Sequence, residues 1–222
     1  MKKKIIASLC MAAVALGGAA QSPLSFHAKA GIGTSRFHGK GADSETKIAC
    51  KAGIGAEYVL NRTWAVRSAL EFVSIGGQDG IGHVRNARMN GLYLQLPIAL
   101  AARLHLGKRH HASLSAGPYA AIGVGGTTSG EVYSPISSRP ASPFRAGTFG
   151  KTADGKMGGN RLDAGIAVGI ALEYGRFVIG AEAQVGLLPV NKHLARMAGM
   201  PEEERYLPKN LASFFTLGYR FR

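Results

Sequence analysis

The residues from Lys47 to Tyr58 read KIACKAGIGAEY, and their side chains alternate in character along the whole stretch. Every second residue from Ile48 to Tyr58 is apolar or small, whereas the intervening positions carry Lys51, Glu57 and two glycines. Successive side chains of a strand point to opposite faces of a sheet. The stretch therefore predicts a β-strand with one uncharged face and one charged face.

The same alternation recurs along the rest of the chain and predicts eight strands. They are Phe26–Ser35, Lys47–Tyr58, Trp64–Ser74, Asn90–Arg103, Ala112–Val124, Leu162–Tyr174, Phe177–Leu187 and Ala212–Arg222. Most of them have the length that a tilted strand needs to cross a bilayer. One face carries no charge in any of the eight, so lipid suits that face better than a protein core does.

The connections between these strands alternate between short and long. The short ones are Asn61–Arg62, Gly107–His110 and Gly175–Arg176; the long ones are Arg36–Thr46, Ile75–Met89, Gly125–Arg161 and Leu188–Leu211. Short periplasmic turns and long extracellular loops are typical of outer-membrane barrels. The sequence thus predicts an all-β fold in the outer membrane, an eight-stranded antiparallel transmembrane β-barrel with both chain ends on the periplasmic side.

The first twenty residues predict a cleaved signal peptide, residues 1–20, which leaves residues 21–222 as the barrel domain. Lys2, Lys3 and Lys4 precede an apolar run, and small residues follow up to Ala20. The formal net charge of +14 becomes +11 once those three lysines are removed. An exported chain rarely meets nucleic acid, so this charge indicates attraction to anionic lipid headgroups or simply the solubility of the loops.

The charged face of the strands carries as many acidic as basic side chains. A closed interior needs such a balance, because an unpaired buried charge is costly. We predict an interior ion-pair network formed by Lys29, Lys51, Glu57, Arg67, Glu71, Arg103, Asp163, Glu173, Glu182 and Arg220. Glycines recur on the same face, where they leave room for the long charged side chains.

Aromatic residues on the uncharged face lie close to the short turns. Amphipathic rings at this depth are typical of the girdle at a membrane interface. The predicted periplasmic girdle consists of Phe26, Tyr58, Trp64, Tyr174, Phe177, Tyr219 and Phe221.

Two prolines, Pro97 and Pro118, fall inside the fourth and fifth predicted strands. Proline cannot donate a hydrogen bond to a sheet, so a bulge or a kink is expected at each.

Short motifs in four strands are similar to a known family. They are KAGIG at Lys29–Gly33, YLQLP at Tyr93–Pro97, AGPY at Ala116–Tyr119 and LGYRF at Leu217–Phe221. These motifs resemble the PorT-like outer-membrane β-barrel proteins of Bacteroidetes. The resemblance implies a small barrel, and its best-known namesake assists a secretion system for surface proteins. It also implies recognition of the last strand by the barrel-assembly machinery, although Arg222 follows the aromatic Phe221 here.

The sequence offers little that indicates catalysis or metal binding. His105, His110 and His111 surround a short turn and could supply two metal ligands, but zinc sites usually have three or four. Glu57 and its acidic neighbours could form a catalytic pair, yet ion pairing accounts for them without a substrate. We predict no catalytic residue, no cofactor site and no metal site.

These observations favour a non-enzymatic outer-membrane protein, a closed barrel that anchors surface loops for envelope integrity, surface interaction or a secretion accessory role. A small passive channel and an outer-membrane enzyme acting on lipid or peptide are the alternatives. A soluble lipocalin-like barrel would have an apolar interior and a polar exterior, the reverse of this pattern. The expected partners are outer-membrane lipid and lipopolysaccharide, the barrel-assembly machinery, and an envelope or secretion protein, with no nucleic acid.

Overall fold

The computed structural model describes residues 23–39, 44–81, 84–107, 110–132, 142–150, 154–190 and 207–221, which contain nine strands. The strands are β1 (Leu24–His38), β2 (Lys47–Val59), β3 (Trp64–Ile81), β4 (Val84–His105), β5 (His110–Val132), β6 (Ser142–Gly147), β7 (Leu162–Tyr174), β8 (Phe177–Pro189) and β9 (Lys209–Arg220). Among these residues, none of the helical segments is long and apolar enough to cross a membrane. The predicted signal peptide lies outside the described residues.

Eight of the strands form a closed antiparallel barrel. Around the ring they follow the order β1, β2, β3, β4, β5, β7, β8 and β9. Pairing of β1 with β9, from His27 opposite Arg220 to His38 opposite Lys209, closes the ring. Closure satisfies the backbone groups that a sheet edge would leave unpaired in hydrocarbon. The predicted fold, an eight-stranded antiparallel β-barrel, is confirmed.

The alternation along each strand separates an apolar outer wall from a polar interior. On β2, the side chains of Ile48 and Ile54 are 75% and 63% exposed, whereas Lys51 and Glu57 are 5% and 2% exposed. Large apolar side chains that face outward recur on the other barrel strands. An outer wall of this kind matches the hydrocarbon core of a bilayer.

The turns between β2 and β3 and between β7 and β8 lie at one rim of the barrel, together with the end of β4, the starts of β1 and β5, and the end of β9. In the turn between β2 and β3, Asn61 Oδ1 accepts hydrogen bonds from the backbone N–H groups of Thr63 and Trp64, at 2.9 and 2.8 Å. Gly175, in the turn between β7 and β8, has a φ of 60°, which glycine adopts without strain. We call this rim the periplasmic rim.

Strands extend into all four connections predicted as long loops, most extensively in two of them. In the predicted loop Ile75–Met89, β3 continues to Ile81 and β4 begins at Val84. In the predicted loop Gly125–Arg161, β5 continues to Val132 and pairs with the short β6. The alternation of apolar and charged residues ends where a strand leaves the hydrocarbon, since both faces can then be polar. Backbone pairing continues beyond that point, so the sequence pattern underestimates these strands.

Pro97 and Pro118 lie in the barrel wall without the predicted bulges. The register between β4 and β5 is the same on both sides of these prolines, with Pro97 opposite Tyr119 and Leu100 opposite Ala116. The pairing is interrupted between those two positions, as expected where a backbone donor is missing. One register shift between these strands lies instead at Val124, because its neighbours Gly123 and Gly125 oppose consecutive residues of β4, and a second lies between Arg85 and Arg88.

Candidate functional site: the charged lumen

Five charged side chains meet in the lumen near the periplasmic rim. We call this group the lower cluster: Glu57, Arg67, Arg103, Glu173 and Arg220. Arg67 bridges the two carboxylates, donating from Nε to Glu57 and from Nη2 to Glu173 Oε1 at 2.7 Å. Arg220 Nη2 lies 2.7 Å from Glu173 and 3.3 Å from Glu57. Arg103 completes the group at 3.4 Å from Glu57 and 3.9 Å from Glu173.

The strand register explains how the lower cluster spans the barrel. Glu57 on β2 lies directly opposite Arg67 on β3, so this pair is fixed by adjacent strands. Glu173 comes from β7, four strands from β2 around the ring, and Arg220 comes from β9, two strands from β2. Arg67 Nη1 also donates to Ser113 Oγ on β5 at 3.0 Å. Together these contacts join six strands through the lumen.

A second group, the middle cluster, consists of Lys29, Lys51, Glu71 and Glu182. Lys29 Nζ lies 2.7 Å from Glu71 and 2.6 Å from Glu182. Lys51 Nζ lies 3.1 Å from the second oxygen of Glu71 and also contacts Glu182. The two lysines and two carboxylates therefore alternate around a closed ring with no net charge.

Glycines make the space that the middle cluster occupies. A Cβ on Gly31 would lie 3.3 Å from Lys51 Cγ, and one on Gly53 would lie 2.9 Å from Glu71 Cγ. Gly31 is paired with Lys51 across β1 and β2, and Gly53 with Glu71 across β2 and β3. This arrangement agrees with the sequence interpretation that glycines on the charged face accommodate long side chains.

Asp163, the tenth residue of the predicted network, does not join either cluster. Among the described residues no basic group contacts it. Its Oδ2 accepts hydrogen bonds from Tyr119 Oη at 3.3 Å and from Asn210 Nδ2 at 2.9 Å. The physical reason is that Asp163 lies at a different depth in the lumen from the two clusters. Asp163 lies at the opposite end of β7 from Glu173, close to Gly186, where the inward neighbours are phenol and amide groups.

Uncharged side chains fill the lumen beyond the middle cluster, and the pattern of charged residues in the sequence did not predict them. Gln95 Nε2 on β4 donates to Gln184 Oε1 on β8 at 3.2 Å, and both side chains are buried. Tyr93, two residues from Gln95, belongs to a buried apolar cluster. Tyr93 and Gln95 occupy the same alternate positions of β4 as Arg103. Because Arg103 was predicted to face the lumen, the alternation also indicates that these two side chains face inward.

Phe149 caps the lumen at the end away from the periplasmic rim. Its ring is 5.2 Å from that of Tyr93 at an angle of 75°. A Cβ on Gly123 would lie 2.6 Å from the Phe149 ring, so glycine leaves the space that the ring fills. The Thr148 hydroxyl donates to the backbone carbonyl of Asn90 at 2.7 Å. Phe149 lies outside the alternating strands, so no sequence period could have placed it here.

A cavity of about 110 Å³ remains in the lumen. Side chains of the lower and middle clusters line it, together with neutral residues such as Ser115 and Thr216. This space has room for several water molecules.

The aromatic residues assigned to the girdle all lie at strand ends on the periplasmic rim. Tyr174 and Phe177 flank the turn between β7 and β8 and are 60% and 64% exposed on the outer wall. The rings of Phe177 and Tyr219 lie 5.5 Å apart, and those of Tyr219 and Phe221 are equally close. Tyr58 and Trp64 flank the turn between β2 and β3, and Phe26 lies near the start of β1.

The histidines at the turn between β4 and β5 separate into two environments. The rings of His105 and His111 lie 4.6 Å apart, whereas His110 contacts the ring of Tyr174 at 5.0 Å. No group of three or more histidine, cysteine, aspartate or glutamate side chains within the described residues could hold a metal ion.

Residues 19–191 match the family described as outer membrane protein β-barrel domain. No curated protein matches the chain. Solved structures of small outer-membrane barrels are similar in fold, at low sequence identity.

The attachment invasion locus protein Ail of Yersinia pestis is 14% identical, with 89% of this chain and 98% of that chain covered and a TM-score of 0.41. Neisserial surface protein A (NspA) is 12% identical, with 90% and 96% covered and a TM-score of 0.44. The N-terminal β-barrel domain of Pseudomonas aeruginosa OprF is 12% identical, with 88% and 97% covered and a TM-score of 0.34.

Proposed function

The chain belongs to the family of outer membrane protein β-barrel domains, and we propose that it acts without catalysis, as a closed barrel that anchors surface loops. The observation that carries this proposal is the filling of the lumen. The lower cluster, the middle cluster, the Gln95–Gln184 pair and the Tyr93–Phe149 contact follow one another along the barrel axis. An eight-stranded barrel is only just wide enough for such side chains.

Ion conduction would require these layers to separate. Each charge of the lower and middle clusters would then lose its partner in a lumen of low dielectric constant, at a cost of several kcal/mol. We therefore expect no steady conductance when the purified protein is reconstituted in a planar bilayer at neutral pH. As a matched control, Lys51→Ala combined with Glu182→Ala removes three of the four ion pairs of the middle cluster and widens the lumen. Steady, sizeable openings of the unaltered protein would refute the closed barrel and favour the small passive channel.

The lower cluster also makes catalysis on lipid or peptide by an outer-membrane enzyme of this kind unfavourable, because its carboxylates are already bound. Glu57 and Glu173 both lie at the centre of the lower cluster, where arginines occupy their oxygens. A general acid or base must instead reach a substrate. We expect no hydrolysis of lipids or peptides by the refolded protein. Activity that Glu57→Gln abolishes, in a variant that still folds, would contradict this expectation.

The end of the barrel away from the periplasmic rim supports a role in surface interaction, envelope integrity or secretion. Strands β4 and β5 have 22 and 23 residues, about twice the length that a strand needs to cross the membrane. With β6 paired to β5, they form a sheet that extends past the apolar wall. A sheet of this kind could present side chains to an envelope or secretion protein, or to lipopolysaccharide.

Crosslinking tests this surface role. Cys50 is first replaced by serine, and single cysteines are then placed at Ser129 on β5 and Ser142 on β6. A thiol-reactive photocrosslinker on these sites should capture a specific envelope protein or lipopolysaccharide in living cells. The same label on the periplasmic rim at Thr63 serves as the matched control. Equal products from both ends of the barrel would contradict a surface-specific interaction.

Membership in the PorT-like group, an accessory role in secretion and recognition by the barrel-assembly machinery belong to the same proposal. The motifs YLQLP, AGPY and LGYRF support them. The proposal includes a signal peptide, residues 1–20, because export requires one. It includes no nucleic acid partner, because an exported protein rarely meets nucleic acid. Amino-terminal sequencing of the mature protein tests the cleavage after Ala20.

A further inference from the structure

The periplasmic rim carries exposed basic side chains, and none of its carboxylates that the structure describes is exposed. Arg62 lies in the turn between β2 and β3, Arg176 in the turn between β7 and β8, and both are exposed. The acidic residues nearest to this rim are Glu57 and Glu173, which are 2% and 4% exposed. Both are bound by arginines of the lower cluster. Among the residues that the structure describes, no exposed carboxylate compensates the positive charge of the two turns.

The exposed carboxylates lie at the other end of the molecule. In the part of the chain that the structure describes, they are Glu45, Glu131 and Asp154. Glu45 precedes β2, Glu131 lies in the extension of β5, and Asp154 follows β6. Exposed basic side chains accompany them at that end, namely Arg36, Arg88, Arg145, Lys156 and Arg161. The periplasmic rim differs because its exposed arginines have no exposed carboxylate beside them among the described residues, so it attracts anions.

Both arginines are close in sequence to the aromatic residues of the periplasmic rim. Arg62 lies two residues from Trp64, and Arg176 lies between Tyr174 and Phe177, so each is adjacent to outward aromatic rings. Arg176 Nη1 donates to Tyr219 Oη at 3.3 Å. This hydrogen bond raises the pKa of the Arg176 guanidinium above its ordinary value, which keeps the group charged. Aromatic rings of this kind mark the interface between hydrocarbon and headgroups.

The arginines also lie on opposite sides of the barrel. The turn between β2 and β3 and the turn between β7 and β8 are four strands apart in either direction around the eight-stranded ring. A single soluble partner would have to span the barrel to contact both turns. Lipids surround the barrel and reach both turns at once.

We propose that the periplasmic rim selects anionic phospholipid headgroups, with Arg62 and Arg176 as two separate contact points for the phosphate. The selection is electrostatic, since a guanidinium attracts a headgroup with net negative charge more strongly than a zwitterionic one. Each guanidinium can in addition donate two parallel hydrogen bonds to the phosphate. It concerns the phospholipid leaflet that faces the periplasm, and it does not depend on whether the lumen conducts.

Trp64 provides the readout, because it is the single tryptophan of the chain and lies beside Arg62. The protein is refolded into phosphatidylcholine bilayers that contain either dibrominated phosphatidylglycerol or dibrominated phosphatidylcholine, whose bromines quench tryptophan. We expect phosphatidylglycerol to be preferred next to Trp64 by about fivefold, the ratio that one basic residue near a charged surface provides. In 1 M salt the Debye length falls to about 3 Å, and the preference should disappear.

A crossed pair of variants distinguishes the two contact points. Arg62→Gln should abolish the preference seen by Trp64, whereas Arg176→Gln, on the far side of the barrel, should leave it unchanged. When the reporter is moved by combining Trp64→Phe with Phe177→Trp, the effects of the two glutamine variants should exchange. Circular dichroism and heat-modifiable gel mobility establish that each variant is folded before it is measured.

Three results would overturn the proposal. One is equal quenching by the two brominated lipids in the unaltered protein, and another is a preference that neither glutamine variant reduces. The third is binding to isolated peptidoglycan that requires both arginines while the two lipids quench equally. That result would assign the rim to an acidic periplasmic polymer in place of the phospholipid.

Discussion

Glu71 and Asp163 show how differently two buried carboxylates can be held in one lumen. Both oxygens of Glu71 contact lysines, whereas Asp163 accepts hydrogen bonds from a phenol and an amide. The strand pattern assigned both residues to one ion-pair network. Parity indicates that a side chain faces inward, but it does not give its depth relative to residues on distant strands. Contacts across the lumen were therefore beyond what the alternation could predict.

This difference predicts opposite responses to neutralisation. Glu71→Gln leaves Lys29 and Lys51 with Glu182 as their remaining carboxylate, so we expect the free energy of unfolding to fall by about 3–5 kcal/mol. Asp163→Asn keeps an acceptor for Tyr119 and removes a charge that has no basic partner. Its effect should be below about 1 kcal/mol or stabilising. Urea unfolding in lipid vesicles measures both, and equal losses would show that Asp163 depends on an ionic partner.

Cys50 tests the orientation of a single outward side chain. It lies on the outer wall between Ile48 and Ala52, and it is exposed there. In a bilayer that exposure is to hydrocarbon, so a sulfonated maleimide should not label Cys50 in the folded protein. Labelling should occur after unfolding in urea. Arg62→Cys combined with Cys50→Ser places the thiol at the periplasmic rim and should be labelled in both states. Rapid labelling of Cys50 in intact vesicles would place this wall in water.

At the scale of the strand, the glycines of β1 and β2 leave space for the long charged side chains and the backbone of the neighbouring strands. A Cβ on Gly53 would lie 2.8 Å from Glu71 Cα, which is backbone and cannot rotate away. Gly53→Ala should therefore destabilise the barrel by about 1–3 kcal/mol, the usual cost of overpacking. Gly125→Ala is the matched control, because a Cβ there meets nothing within 4 Å. If the two variants lose similar free energy of unfolding, the loss is not caused by a steric clash at Gly53 and reflects only the change in strand propensity from glycine to alanine.

The strands could be predicted from the sequence where the membrane requires apolar and polar side chains to alternate. Lys47–Tyr58 and Leu162–Tyr174 agree closely with β2 and β7, because nearly every residue of these strands faces either lipid or lumen. The extensions of β3, β4 and β5 were missed, since residues such as Gly76 and Thr128 lie where both faces can be polar. The cap formed by Phe149 depends on packing between distant parts of the chain. That packing has no period in the sequence.

At the scale of the whole molecule, the outer wall distinguishes a barrel in lipid from a barrel in water. Ile54 and Leu60 are 63% and 54% exposed, so either position would tolerate arginine in a soluble protein. In a bilayer their depths differ, because Ile54 lies within β2 and Leu60 lies in the turn at the periplasmic rim. Ile54→Arg should cost about 2–4 kcal/mol of folding free energy in lipid vesicles, and Leu60→Arg about 0–1 kcal/mol. Reversible unfolding of both variants from the same vesicles measures this depth dependence. Equal and small effects would mean that the apolar wall does not contact hydrocarbon, and the inward placement of the charges would then need another cause.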